Sequence, residues 1–267
     1  KDGYLFTNTY LGDYPMFLPG GKEQIAGEYQ PGWMLLSYGK KVSVSSSLEG
    51  YPAENIVDED ARTAWVAQSN RDMEWAQVDL QRLSSIHAIQ VNFDEYGANQ
   101  KGAVSGVYQS YLIYASVNGE DWSLVVDYGT KKTDTPHDYI EFEEPFKARY
   151  IKLQNKEYMV SENLSVRDLR IFGKGQGSTP RAVNDFTVER DEADPCKARL
   201  CWEAVPDAQG YIVRYGIAGD KLYNNFQVMG ENTLEIGSLN KGVAYYFTID
   251  AYNENGITRT SRIKVCR

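Results

Sequence analysis

The stretch Asp58-Glu-Asp-Ala-Arg-Thr63 packs two aspartates and a threonine hydroxyl into one short segment. A calcium ion takes about six to eight hard oxygen ligands at roughly 2.3–2.6 Å, so a tight loop of this composition can supply part of such a shell. The spacing is not that of an EF-hand. Without a metal, the same residues read as turn formers, with Asp58 and Thr63 hydrogen-bonding their own backbone. A second group of residues mixes aromatic rings with planar polar groups: Gln68, Asn70, Arg71 and Asp72, then Asp94, Glu95, Tyr96 and Asn99, then Tyr108, and finally Tyr158 with Met159. Binding a sugar requires rings to face its C–H groups, and amides, guanidinium or carboxylates to bond its hydroxyls. Taken singly, each of these residues is an ordinary polar loop side chain.

Catalytic chemistry is thinly represented. The chain has 2 histidines, His87 beside a strand-like run and His137 in Thr135-Pro-His-Asp138, and neither accompanies a nucleophile motif. Glu141, Glu143 and Glu144 lie close together, but carboxylates are frequent throughout the chain, and a solvated strand edge is the reading they support.

These residues must be positioned by strands. Ala76–Leu80, Ala88–Phe93, Tyr111–Ala115 and Arg149–Leu153 alternate with the period of half-buried strands, and turn signals such as Asn118-Gly119 separate them. Ala198–Trp202, Gly210–Tyr215, Thr233–Ile236 and Tyr245–Ala251 repeat the pattern further on. Between the two groups, the Gly- and Ser-rich run ending at Pro180 reads as a linker. With 267 residues, 20 of them Tyr, the chain is expected to form two all-β domains. Trp65, Trp75, Trp122 and Trp202 fall in or next to strand-like motifs and are expected in the cores. The first 37 residues differ from both domains and look like the tail of something longer, with Trp33 placed to pin that segment onto the first domain.

Charge narrows the partners. Against 37 acidic residues stand 28 basic ones, a formal net of -9 with no basic block, which argues against nucleic acid and anionic membranes. No apolar run reaches the roughly 18 to 20 residues a membrane span needs. No signal peptide opens the chain, which reads as a mature product or an excised piece. The 3 cysteines, Cys196, Cys201 and Cys266, make no C-x-x-C pair; one disulfide with a spare thiol and three free thiols both remain open.

Ala53–Trp65, Trp75–Leu80, Tyr114–Trp122, Ala148–Leu153 and Val166–Gly173 together resemble, in order and spacing, the discoidin or coagulation factor 5/8 type C domain, the carbohydrate-binding module family 32 type. Trp202, Pro206, Tyr211, Leu239, Tyr245, Phe247, Ile249, Ala251, Asn253 and Gly256 resemble a fibronectin type III domain, with Tyr245 at its tyrosine corner. Asp2–Pro15 is similar to the closing segment of a family 43 glycoside hydrolase propeller. The domain organisation is therefore expected as an N-terminal remnant over 1–37, a discoidin-like jelly roll over 38–175, a linker over 176–183 and an immunoglobulin-like sandwich over 184–267.

The first resemblance implies that Asp58, Asp60 and Thr63 join Asp168 around a structural calcium, Asp standing where the family often has Glu. It also implies that Gln68, Asn70, Arg71, Asp94, Tyr96, Asn99, Tyr108 and Tyr158 converge on one end of the sandwich to hold a glycan. Galactose-binding members often carry a histidine in the stretch corresponding to 66–71; this chain has none, so that preference does not transfer. The second resemblance sets Cys196 and Cys266 at one pole and implies a bridge of roughly 2–4 kcal/mol, with Cys201 facing outward. Together these imply a non-catalytic, monomeric, carbohydrate-binding accessory region of a secreted, periplasmic or cell-surface glycoside hydrolase whose catalytic domain lies upstream. The alternative is a structural spacer or protein-adhesion region.

Overall fold

The computed structural model describes residues 15–18, 22–25, 33–98 and 106–267. Asn99 and residues 1–14, 19–21 and 26–32 of the segment 1–37 lie outside the described residues. A short hairpin joins β1 (Pro15–Leu18) to β2 (Lys22–Ile25). Internal contacts then separate a unit of residues 33–177 from one that holds residues 178–267.

The first unit contains β3 (Met34–Leu35), β4 (Lys41–Val44), a 3₁₀ turn (Ala53–Val57), β5 (Trp65–Val66), β6 (Trp75–Phe93), β7 (Gln109–Ser116), β8 (Ser123–Tyr128), β9 (His137–Tyr158) and β10 (Ser165–Lys174). The antiparallel order is β3-β10-β6-β9-β7-β8, with β4 paired to β6 and β5 to β10. The sequence-predicted strands 76–80 and 88–93 are two halves of one long strand. The first half of β6 pairs with β4 and the second with β10, while β9 follows it through both. The register shifts between Asp79 and Ser84, where Gln81 has φ 66°, so the strand bends as it passes from one ladder to the next. Exposed Glu141, Glu143 and Glu144 lie on or beside a second irregularity in β9, at the solvated edge their spacing suggests.

Alternation decides what enters the core. Leu36, Ile56, Trp65, Val78, Leu80, Ile89, Val91, Tyr111, Ile113, Ile151, Leu153 and Ile171 are all at most 1% exposed. Each large apolar side chain so buried contributes roughly 1.5–3 kcal/mol. Trp65 lies at the centre as expected, and its Nε1 donates to the Ser46 carbonyl at 2.9 Å. Trp75 and Trp122 correct the expectation. Both are only half-buried, because Trp75 shares the outward parity of Gln77 and Asp79 and Trp122 sits in the turn before β8. Trp33 stacks on His87, with ring centroids 5.2 Å apart.

The second unit has two sheets. One runs β11 (Phe186–Arg190), β12 (Ala198–Trp202), β15 (Thr233–Ile236). The other runs β14 (Asn224–Met229), β13 (Gly210–Gly216), β16 (Tyr245–Asn253), β17 (Gly256–Thr258), with β18 (Lys264–Cys266) also on β16. Leu200, Trp202, Val213, Ile236, Phe247 and Ile249 form its core. A Cβ on Gly210 would lie 2.5 Å from the Tyr252 hydroxyl and the Val228 carbonyl, so only glycine fits there.

Two expectations change here. The residues read as a linker are partly docked: Pro180 and Val183 are buried, and the carbonyls of Ser178 and Pro180 accept hydrogen bonds from Asn253 and Thr258 at 3.0 and 2.6 Å. All three cysteines are free rather than bridged. Arg190 lies in the neighbourhood the bridge would need: its guanidinium bonds the Pro195 carbonyl next to Cys196. Burial, the largest effect there, raises the Cys266 pKa, leaving a buried and weakly reactive thiol.

Candidate functional site

Four loops of the first unit, 45–52, 67–74, 94–98 and 159–164, meet at one end of the sheet. Glu74 joins the first two. Its carboxylate, only 7% exposed, accepts the hydroxyls of Ser45, Ser46 and Ser69, the last two at 2.7 Å. Burial alone would raise its pKa, but these three hydroxyls outweigh it and hold Glu74 below its ordinary value. The 67–74 and 159–164 loops are tied by amides: Asn70 Nδ2 donates to the carbonyls of Ser161 at 2.8 Å and Tyr158 at 3.2 Å, and Asn163 Nδ2 donates to that of Ala67 at 2.9 Å. The 94–98 loop is fastened to β10 through Asp94 N to the Ser165 carbonyl at 3.0 Å and Tyr96 N to the Ser165 hydroxyl at 3.3 Å.

On this scaffold Tyr96 packs edge-on against Tyr51, with centroids 4.9 Å apart and planes at 67°. Both rings are half-exposed, forming an aromatic corner. Gln68 is exposed and its backbone is held by the Ser46 hydroxyl at 2.9 Å. Arg71 is exposed, and its guanidinium has no partner among the described residues. Two half-exposed rings, with the Gln68 amide, which reaches the Ser47 carbonyl at 3.4 Å, and the exposed Arg71 on the neighbouring loop, can seat the C–H face of a small polar ring while bonding its hydroxyls.

Other residues predicted for this surface are spent on structure. Tyr158 is a correction: it is 1% exposed, its hydroxyl donates to the Asp94 carbonyl, and burial holds its phenol well above the ordinary range. The Asn70 amide is consumed by the two carbonyls above. Asp94 forms an ion pair with Arg167. Tyr108 donates to Glu157 at 2.6 Å beneath Lys132, whose ammonium lies 4.3 Å from the ring centroid. Tyr51, Arg167 and Glu74 were not picked out from sequence. Tyr51 could have been, as an aromatic in the turn Gly50-Tyr-Pro52 facing the same end.

The oxygen-rich loop closes on itself. Asp58 accepts from Asp60 N and the Thr63 hydroxyl, both at 2.8 Å, so its turn-forming role is real. Asp60 turns outward to Arg62 at 2.9 Å. Glu59, with φ 61°, reaches Arg170 on β10 at 2.8 Å and straps the loop to that strand. Asp168, two residues earlier on β10 and 3% exposed, accepts from Asn92 Nδ2 at 2.8 Å through one oxygen, while its Oδ1 is buried with no donor. Among the described residues no group of three or more His, Cys, Asp or Glu is arranged to hold a metal. A carboxylate oxygen left without a donor is nevertheless the kind of atom a hard cation would satisfy. Of the histidines, His87 lies under Trp33, and His137 Nδ1 is 3.2 Å from Asn92 Oδ1.

Residues 41–168 match the F5/8 type C domain. Lactadherin of Rattus norvegicus is 33% identical over 110 residues, covering 39% of this chain and 25% of that protein. Lactadherin of Mus musculus is 32% identical over 110 residues, covering 39% and 23%. The chain thus spans about a quarter of the length of the curated relatives it matches. Among solved structures, chitosan-binding module 1 from a chitosanase/glucanase of Paenibacillus sp. IK-5 aligns with a TM-score of 0.44 at 20% identity, covering 52% of this chain and 99% of that chain. The family 32 CBM of C. perfringens NanJ, in complex with galactose, aligns with a TM-score of 0.43 at 18% identity, covering 52% and 98%.

Proposed function

We propose that the loop end of the first unit binds carbohydrate without catalysing a reaction on it, and that the chain is an accessory region of a secreted or cell-surface glycoside hydrolase whose catalytic domain lies upstream. The observation that carries this reading is the half-exposed Tyr51–Tyr96 corner beside the exposed Gln68 and Arg71. The match of residues 41–168 to the F5/8 type C domain supports it. Tethering such a module to an enzyme raises the local concentration of substrate. The second unit is read as a fibronectin type III domain. Its three-stranded and five-stranded sheets support that, as does Tyr245, buried with its hydroxyl accepting from Asn240 N at 3.3 Å.

The test is a glycan array and affinity gels with arabinan, xylan, galactan and host glycans, followed by titration of the best ligand. A shallow site is expected to bind at about 0.1–1 mM, or about 4–5.5 kcal/mol. Tyr51→Ala and Tyr96→Ala are each expected to weaken binding tenfold or more, about 1.4 kcal/mol, with Arg71→Ala intermediate. Binding that both tyrosine variants retain in full would refute the loop-end assignment. Silence across the array would favour a spacer.

Calcium belongs to the same proposal. Asp58, Thr63, Asp168 and the loop carbonyls would hold it, and it would fasten the 58–63 loop to β10 alongside the Glu59–Arg170 pair. Adding calcium to EDTA-stripped protein is expected to raise the Tm of the first unit by several degrees, and Asp168→Asn is expected to abolish that rise. An identical Tm with and without calcium would remove the metal from the account.

A further inference from the structure

The outward face of the first unit carries a second arrangement, away from the loop corner. Trp75, Gln77 and Asp79 of β6, Tyr150, Lys152 and Gln154 of β9, and Leu112 and Tyr114 of β7 all point away from the core, each half-buried. The register sets Gln77, Lys152 and Tyr114 side by side across three strands, and Asp79 next to Tyr150. Trp122 folds over this row. The Lys152 ammonium lies 4.1 Å from the Trp122 ring centroid and 5.4 Å from that of Tyr114, and Trp122 meets Tyr150 edge-on at 6.5 Å.

Two cations sit in this strip, and they differ. Arg149, over Tyr150 at 4.9 Å, is neutralised by Asp79 at 2.8 Å. Lys152 has aromatic neighbours but no carboxylate partner among the described residues. Burial holds its pKa below the ordinary lysine value, so the charge is kept at a desolvation cost. Ring quadrupoles offset part of that cost, yet none of the described acidic residues pairs with this lysine. An anionic group arriving from outside would complete the site. The flanking rings and the Gln77 amide match the C–H faces and hydroxyls of a sugar chain, while Gln154 Nε2 donates to the Asp72 carbonyl at 3.3 Å.

We infer that this sheet face binds an acidic oligosaccharide, with a uronate carboxylate on the Lys152 ammonium and sugar rings against Trp122 and Tyr114. The site is independent of the Tyr51–Tyr96 corner. The intact chain should be titrated with trigalacturonate, with its carboxyl-reduced neutral counterpart and with poly-glutamate, following the Trp122 indole N–H by NMR. Trigalacturonate is expected to bind at least tenfold more tightly than the neutral chain and to weaken with salt. Lys152→Gln and Trp122→Ala should each reduce binding about tenfold while the Tm holds, and Tyr96→Ala should leave it unchanged. Equal binding of the acidic and neutral chains, equal binding of poly-glutamate, retention of affinity in Lys152→Gln, or no shift at Trp122 would each overturn the inference. Loss of binding in Tyr96→Ala alone would return the ligand to the loop end.

Discussion

Glu74→Ala is expected to destabilise the first unit by about 3 kcal/mol and to abolish glycan binding with it. Three serine hydroxyls converge on this carboxylate from two loops, and truncation leaves them facing a buried hole. Hydrogen bonds to a charged acceptor contribute about 1.5–3 kcal/mol each, less than additively when they share one atom group. The loops they hold, 45–52 and 67–74, carry Tyr51, Gln68 and Arg71, so binding should fall further than the loss of any single contact would explain. Urea unfolding followed by tryptophan fluorescence measures the first effect, and titration measures the second. An unchanged midpoint would show that the serines find other partners.

The same residue makes a pH prediction. The folded pKa of Glu74 is depressed, so its contribution is present in full above the ordinary glutamate value of 4.5 and is lost as the pH falls through the lower folded value. The difference in Tm between the wild type and Glu74→Gln should therefore be constant near neutrality and shrink in acid. A difference that grew as the pH fell would mean that the carboxylate is held protonated instead.

Asp250→Ala is expected to cost the second unit about 3–5 kcal/mol, the penalty for stranding the partner of a buried ion pair. Asp250 is 2% exposed, accepts Arg214 Nε at 2.8 Å, and receives Thr260 N at 3.1 Å through its other oxygen. Calorimetry should show the transition of residues 178–267 moving down while that of residues 33–177 stays in place. Asp185→Ala provides the contrast. Asp185 also pairs with two cations, Arg262 and Lys264, but in the open, so water replaces what is lost and the transition should hardly move. Equal effects of the two substitutions would contradict the role given to burial.

Strand content was legible because alternation is a local property. The segments read as strands at 198–202 and 233–236 are β12 and β15, and the one at 111–115 lies inside β7. The parity of Gln77 and Asp79 also marks Trp75 as outward-facing, a signal that its aromatic type overrode in favour of the core. What could not be read was a break in that parity. Lys152 and Gln154 point out and Leu153 points in, which would carry Tyr158 outward; but the β7–β9 register skips a residue between Ser110 and Tyr111, and Tyr158 turns into the core. A single extra residue reverses every side chain beyond it, and nothing in the local pattern marks where the partner strand imposes it. The linker followed the same logic. Its glycines and serines read as free chain, whereas its carbonyls are captured by Asn253 and Thr258, residues about 75 positions away. Composition and period thus determined the β class and the strands, while the resemblance to the F5/8 type C domain implied the end of the sheet where polar loops gather. Which of those polar residues remain free to meet a ligand was decided only in the folded chain, because Asn70, Asp94 and Tyr158 find their partners across distances in sequence that no local pattern spans.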